Sequence, residues 1–179
     1  MTLTMSACAT AADSTARRQA ADFVAASRDA LACRNTVAAK HRYQALATHL
    51  PLTTVFNATL LQMADSNLAS EDDIVTLGLW LDDMQECRNR LAADVLRTFP
   101  TALASVVVNW NKDDRTFVLL AKRKLVWGEA IMTLRTNRAE MLDQISRQIL
   151  QLAQQLNAEK QAELTRRVAI FSALTNLSP

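Results

Sequence analysis

The sequence predicts an all-α protein, an elongated antiparallel helical bundle with a long coiled-coil-like C-terminal helix. Three observations carry this expectation. Two glycines and three prolines among 179 residues are too few for the turns of a sheet or a loop-rich fold. Half of the residues are apolar but only 5% are aromatic, so alanine and leucine supply most of the greasy surface, and both favour helices. Apolar residues also recur at steps of three and four, the period of one helix face. By length the chain is one domain with a real core.

Residues 1 to about 12 read as a disordered tail or as the remnant of a signal or lipobox. Residues 13–179 read as one helical domain whose C-terminal arm runs from about 129 to 177. Asp13, Ser14 and Thr15 are good helix-start residues, and an Ala-rich first helix follows to about Asn35. A second segment around Tyr43–His49 stops at Pro51, and a third spans about Thr54 to Ala64. Ser70-Glu71-Asp72-Asp73 is a sharp start, a hydroxyl cap followed by three carboxylates against the positive end of the dipole. Ile74, Leu77, Leu81, Met84, Leu91 and Val95 then form one buried face, and Phe99-Pro100 ends the helix. From Thr101 another helix is expected through Trp110, since Val106-Val107-Val108 as a strand would have no partner. Asn111-Lys112-Asp113-Asp114 reads as a polar break before a short helix, and Trp127-Gly128 as a break or kink. From Glu129 to about Leu177 there is neither Pro nor Gly. Leu142, Ile145, Ile149, Leu152 and Leu156 have coiled-coil spacing there, a stripe for the first helix, a partner helix or a second copy of the chain.

Net charge is +2, with the charges interspersed, the pattern of a solvated surface and not of a nucleic-acid binder. No apolar run approaches a membrane span. Gly78 and Gly128 cannot build a nucleotide-binding loop. Three cysteines and two histidines, with no C-x-x-C pair, offer no metal site. No cofactor is expected, and no catalytic residue is assigned.

Four groups of residues bear on function, beside one acidic cluster. Ser6-Ala7-Cys8 behind an apolar stretch resembles a lipobox, with Cys8 as the lipidated residue that would anchor the chain to a membrane; otherwise Cys8 belongs to a frayed tail. Cys33 and Cys87 then remain, the right number for one disulfide if the chain is exported, or two reduced core cysteines if it is not. His41 and His49, eight residues apart, would form a ligand pocket with Tyr43 and Trp127, against the plainer reading of polar residues on a connector. Lys122-Arg123-Lys124 beside Trp127 suits a lipid surface or an acidic partner, or simply a solvated helix end. The acidic cluster, Asp82, Asp83 and Glu86, looks like the polar face of a helix, and would serve catalysis only by converging with His41 or His49.

His49-Leu50-Pro51-Leu52, Asn57-Ala58-Thr59-Leu60, Leu79-Trp80 leading to Gln85-Glu86-Cys87-Arg88, and Leu125-Val126-Trp127-Gly128-Glu129 are short motifs. Through them the stretch from Cys33 to about Glu129 resembles an uncharacterised group of small, all-helical proteobacterial cell-envelope proteins. The resemblance implies an exported, lipoprotein-like chain and no activity. The expected function is a non-enzymatic, envelope-associated helical module, a lipid-anchored scaffold or interaction protein pairing through its last helix. The alternative is a periplasmic bundle that binds a small ligand or neutralises a toxin. An apolar pocket with polar groups at one end would favour the alternative, and a solid core would oppose it.

Overall fold

The protein is described by a computed structural model covering the backbone of residues 9–175 and the side chains of residues 17–166. Among these the fold is all-α, as expected, with no strand. The helices are α1 (Ala9–Ala38), α2 (Leu46–His49), α3 (Leu60–Met63), α4 (Glu71–Thr98), α5 (Pro100–Ala121) and α6 (Trp127–Thr175). Cys8 lies outside the described residues.

Side-chain pairs give the topology. Cys33 meets Cys87 and Phe23 meets Phe99, so α1 and α4 are antiparallel. Trp80–Phe117 and Arg88–Asp114 set α4 against α5 in the same way. Asp113–Asn137 and Ser105–Gln148 set α5 against α6. α1 also packs along α6, which closes an up-down-up-down ring of four long helices. The start of α4 is as the sequence indicates. Ser70 Oγ accepts from the Asp73 amide at 3.1 Å, and the Asp73 carboxylate accepts from the Ser70 amide at 2.9 Å, a reciprocal cap. Pro100 is the first residue of α5, where its missing N–H costs nothing.

Several boundaries differ from the sequence reading. α1 begins at Ala9, so Asp13, Ser14 and Thr15 lie inside it and do not start it. The connector is more broken than expected, with 3-10 turns at His41–Tyr43 and Val55–Asn57 beside the one-turn helices α2 and α3. α5 is continuous through Asn111-Lys112-Asp113-Asp114. These polar residues do not cap a new helix because neighbouring helices use them. Lys112 donates to Glu140 at 2.6 Å, Asn137 donates to Asp113 at 3.1 Å, and Arg88 holds Asp114. The turn before α6 falls at residues 122–126, with Arg123 at φ 53°, and Trp127-Gly128 opens the helix instead of breaking it. Gly128 is needed for close approach. A Cβ there would sit 2.4 Å from the Met63 carbonyl oxygen, beside the contact in which Gly128 N–H donates to Asp65 O.

At 1.5 Å per residue, the 49 residues of α6 span about 73 Å. α5 runs out near Gln148, which donates to Ser105. The stripe proposed for a partner helix is partly used within the chain. Ile145 is buried, and Ile149 and Leu152 pack with it against Phe23, Val95 and Phe99. Leu156 is half-buried, and Leu142 is exposed at 42%.

The buried residues form two clusters. One centres on Tyr43, Leu46, Trp80, Met84, Trp127 and Ile131. The other centres on Phe23, Phe99, Val106, Met141 and Ile145. Between them the core is not solid.

Candidate functional site: an apolar cavity with arginines in its wall

A cavity of about 240 Å³ lies where the two clusters meet. Its walls come from all four long helices and from the connector at residues 50–56. Phe23, Trp80, Met84, Val106, Phe117 and Met141 make most of the wall apolar. Leu31 and Phe56, both part-exposed, stand at its edge. Well-packed interiors carry few voids larger than a water molecule. A cavity of roughly 150 Å³ in an apolar core suffices to hold a benzene ring. This one is larger.

Charge is concentrated at one part of the wall. Arg34 of α1, Arg88 of α4, Asp113 of α5 and Arg138 of α6 all line the cavity. The disulfide brings two of them together. Cys33 and Cys87 are joined with their Cα atoms 5.7 Å apart, and each is followed directly by an arginine. Arg88 is fully engaged, with bidentate bonds of 3.0 and 2.7 Å to Asp114 and its guanidinium 5.8 Å from the Trp110 ring centre. Asp113 accepts from Asn137, and Arg138 stands 4.0 Å from it. Burial pushes the Asp113 carboxyl up, against the pull of Asn137 and the arginines. Burial likewise lowers Arg138. Arg34 departs furthest. Burial first, then repulsion from Arg138, brings it down to about 10, with only Asp113 acting the other way among the main neighbours. Arg34 is still a cation at neutral pH; it is half-buried, and its Nε meets no acceptor.

The four residues expected to form a ligand pocket do not line this cavity. His41 is exposed on its 3-10 turn. The buried Tyr43 places its hydroxyl 2.6 Å from Asp83 and 3.0 Å from the Leu79 carbonyl, fastening the connector to α4. His49 stacks on Trp127 with ring centres 5.2 Å apart, and its Nδ1 lies 2.7 Å from Asp65. The stacked rings lie face to face, leaving no room for a ligand between them.

The acidic residues of α4 do not converge with a histidine. Asp83 takes hydrogen bonds from Lys40, Tyr43 and Arg42, which hold its carboxyl well below the usual range. Glu86 pairs with Arg90 along the helix. In the basic turn, Arg123 Nε donates to the Ala69 carbonyl at 3.0 Å, while Lys122 and Lys124 are exposed. Among the described residues no cluster of His, Cys, Asp and Glu could hold a metal ion, and no helix is long and apolar enough to cross a membrane.

Sequence reasoning missed Arg34, Arg88, Asp113 and Arg138. The one available signal was the echo of Cys33-Arg34-Asn35 in Cys87-Arg88-Asn89, too short to stand as a repeat but long enough to put two arginines beside one bridge. No protein-family model, curated protein or solved structure matches the chain.

Proposed function

We propose that this chain is a non-enzymatic binding protein that holds one small, largely apolar molecule inside its helical bundle. The observation that carries the reading is the apolar cavity between α1, α4, α5 and α6, with its arginines gathered in one part of the wall. That combination of greasy walls and a few polar groups is how ligand sites are generally built. The commitment of Asp83 and Glu86 to neighbouring cations supports a role without acid–base catalysis. The Cys33–Cys87 bridge supports an oxidising compartment such as the periplasm. A second reading, a partner interface along α6, draws support from the exposure of Leu142, Leu150 and Leu164.

Titration with octan-1-ol tests the binding reading, because Trp80 and Trp110 on the wall report occupancy by their fluorescence. Burying eight carbons at about 0.8 kcal/mol each predicts saturable one-to-one binding. Ala30→Phe, which puts a ring into the cavity from α1, should abolish it. A linear, unsaturable response, or equal binding by Ala30→Phe, would refute the cavity as a binding site.

A further inference from the structure

We infer that the ligand is a small monocarboxylate, an apolar body of about eight carbons whose carboxylate is read by Arg34 and Arg138 on the charged part of the cavity wall. This deepens the binding reading above and rests on it.

Charge balance points to an anion. Three guanidinium groups, Arg34, Arg88 and Arg138, face two carboxylates, Asp113 and Asp114. One positive charge is left without a carboxylate partner on a largely apolar wall. Arg88 is already spent on Asp114 and Trp110. Arg138 has only a distant contact with Asp113, and Arg34 makes no hydrogen bond or ion pair among the described residues.

Hydrogen-bonding chemistry points the same way. Arg34 Nε is covered by its neighbours, but the terminal nitrogens of Arg34 are not, and they make no hydrogen bond among the described residues. They are donors only, and an oxyanion serves them better than an alcohol or amine.

The count also sets the charge of the head. A single uncompensated cation suits a monoanion, and the planar guanidinium fork matches a carboxylate. Asp113 would repel a second negative charge, which disfavours a phosphate monoester in its dianionic form. The cavity sets the size of the part it covers, since 240 Å³ has room for a medium chain or a single substituted ring.

A same-length series separates head from body. Calorimetric titration of the intact, disulfide-bonded chain would use octanoate, octan-1-ol, octylammonium and octyl phosphate. Octanoate should bind at least about tenfold more tightly than octan-1-ol, the margin of one charge-assisted hydrogen bond. Octylammonium should not bind measurably, and octyl phosphate should bind no more tightly than octanoate. Arg34→Gln should lose about tenfold in octanoate affinity while leaving octan-1-ol within about threefold. Arg138→Gln provides a second variant should Arg34→Gln fail to fold, and the wild-type series decides the matter without either. Equal affinity for octanoate and octan-1-ol would overturn the carboxylate and leave the cavity standing. Tighter binding of octyl phosphate would replace carboxylate with phosphate and also overturn the inference. Failure of every compound to bind would remove the cavity reading itself.

Discussion

Cys33→Ala/Cys87→Ala is expected to lose about 4 kcal/mol of stability, a drop of roughly 10 °C in Tm. The bridge spans a sequence separation of 54. Cross-linking a loop of that length removes about 4 kcal/mol of chain entropy from the unfolded state. The native side of the balance makes the loss hard to recover. α1 buries few apolar side chains among its described residues, chiefly Phe23, Ala26 and Val37, and leaves Val24 and Leu31 exposed. The bridge ties this weakly amphipathic helix to α4. Urea unfolding of the oxidised wild type and the double variant measures the difference. Amide exchange should quicken first in α1 and least in α5. Coincident unfolding curves for the two proteins would show that the bridge is incidental.

Trp127→Ala is expected to cost a similar amount, about 3–5 kcal/mol. Trp127 is fully buried in the larger core cluster and stacks on His49. It is also the first residue of α6, and its amide donates to the Asn67 carbonyl at 3.1 Å. Removing the ring leaves a large void at the point where connector, α3 and α6 are held together. The stacking itself is a minor part of the loss, worth about 1 kcal/mol. Trp127→Phe, which keeps an aromatic face, should therefore lose less than half as much. Chemical denaturation read by circular dichroism checks both variants. A cost below about 1 kcal/mol for Trp127→Ala would mean that α6 is seated by its other contacts.

These two variants also show where the sequence is transparent and where it is not. Helix composition, the Ser70 cap and the long Pro- and Gly-free run of α6 are local features, written in consecutive residues. The pairing of Cys33 with Cys87 needed only the count of cysteines and a compartment. The site is a different matter. Asp113 reads as part of a polar break because local propensity says so, and only the packing of α6 makes it a buried partner for Asn137 and Arg138. Arg34, Arg88 and Arg138 come from three helices, and apart from the cysteines beside Arg34 and Arg88 nothing along the chain links them. His49 and Trp127 are residue types common in binding sites, yet their chemistry is spent on holding the connector to α6. Charge gathered from separate helices leaves no periodic trace, whereas buried apolar faces do.

In the proposed function, the space between the two core clusters receives the apolar body of a ligand. Intermolecular nuclear Overhauser effects between octanoate and methyl-labelled protein test this most directly. The chain of octanoate is expected to contact the methyl groups of Met84 and Leu134 or of Val106 and Met141, the two pairs of the cavity wall that flank its charged residues. Contacts confined to the exposed Leu60 and Leu61, with none to those four, would contradict it.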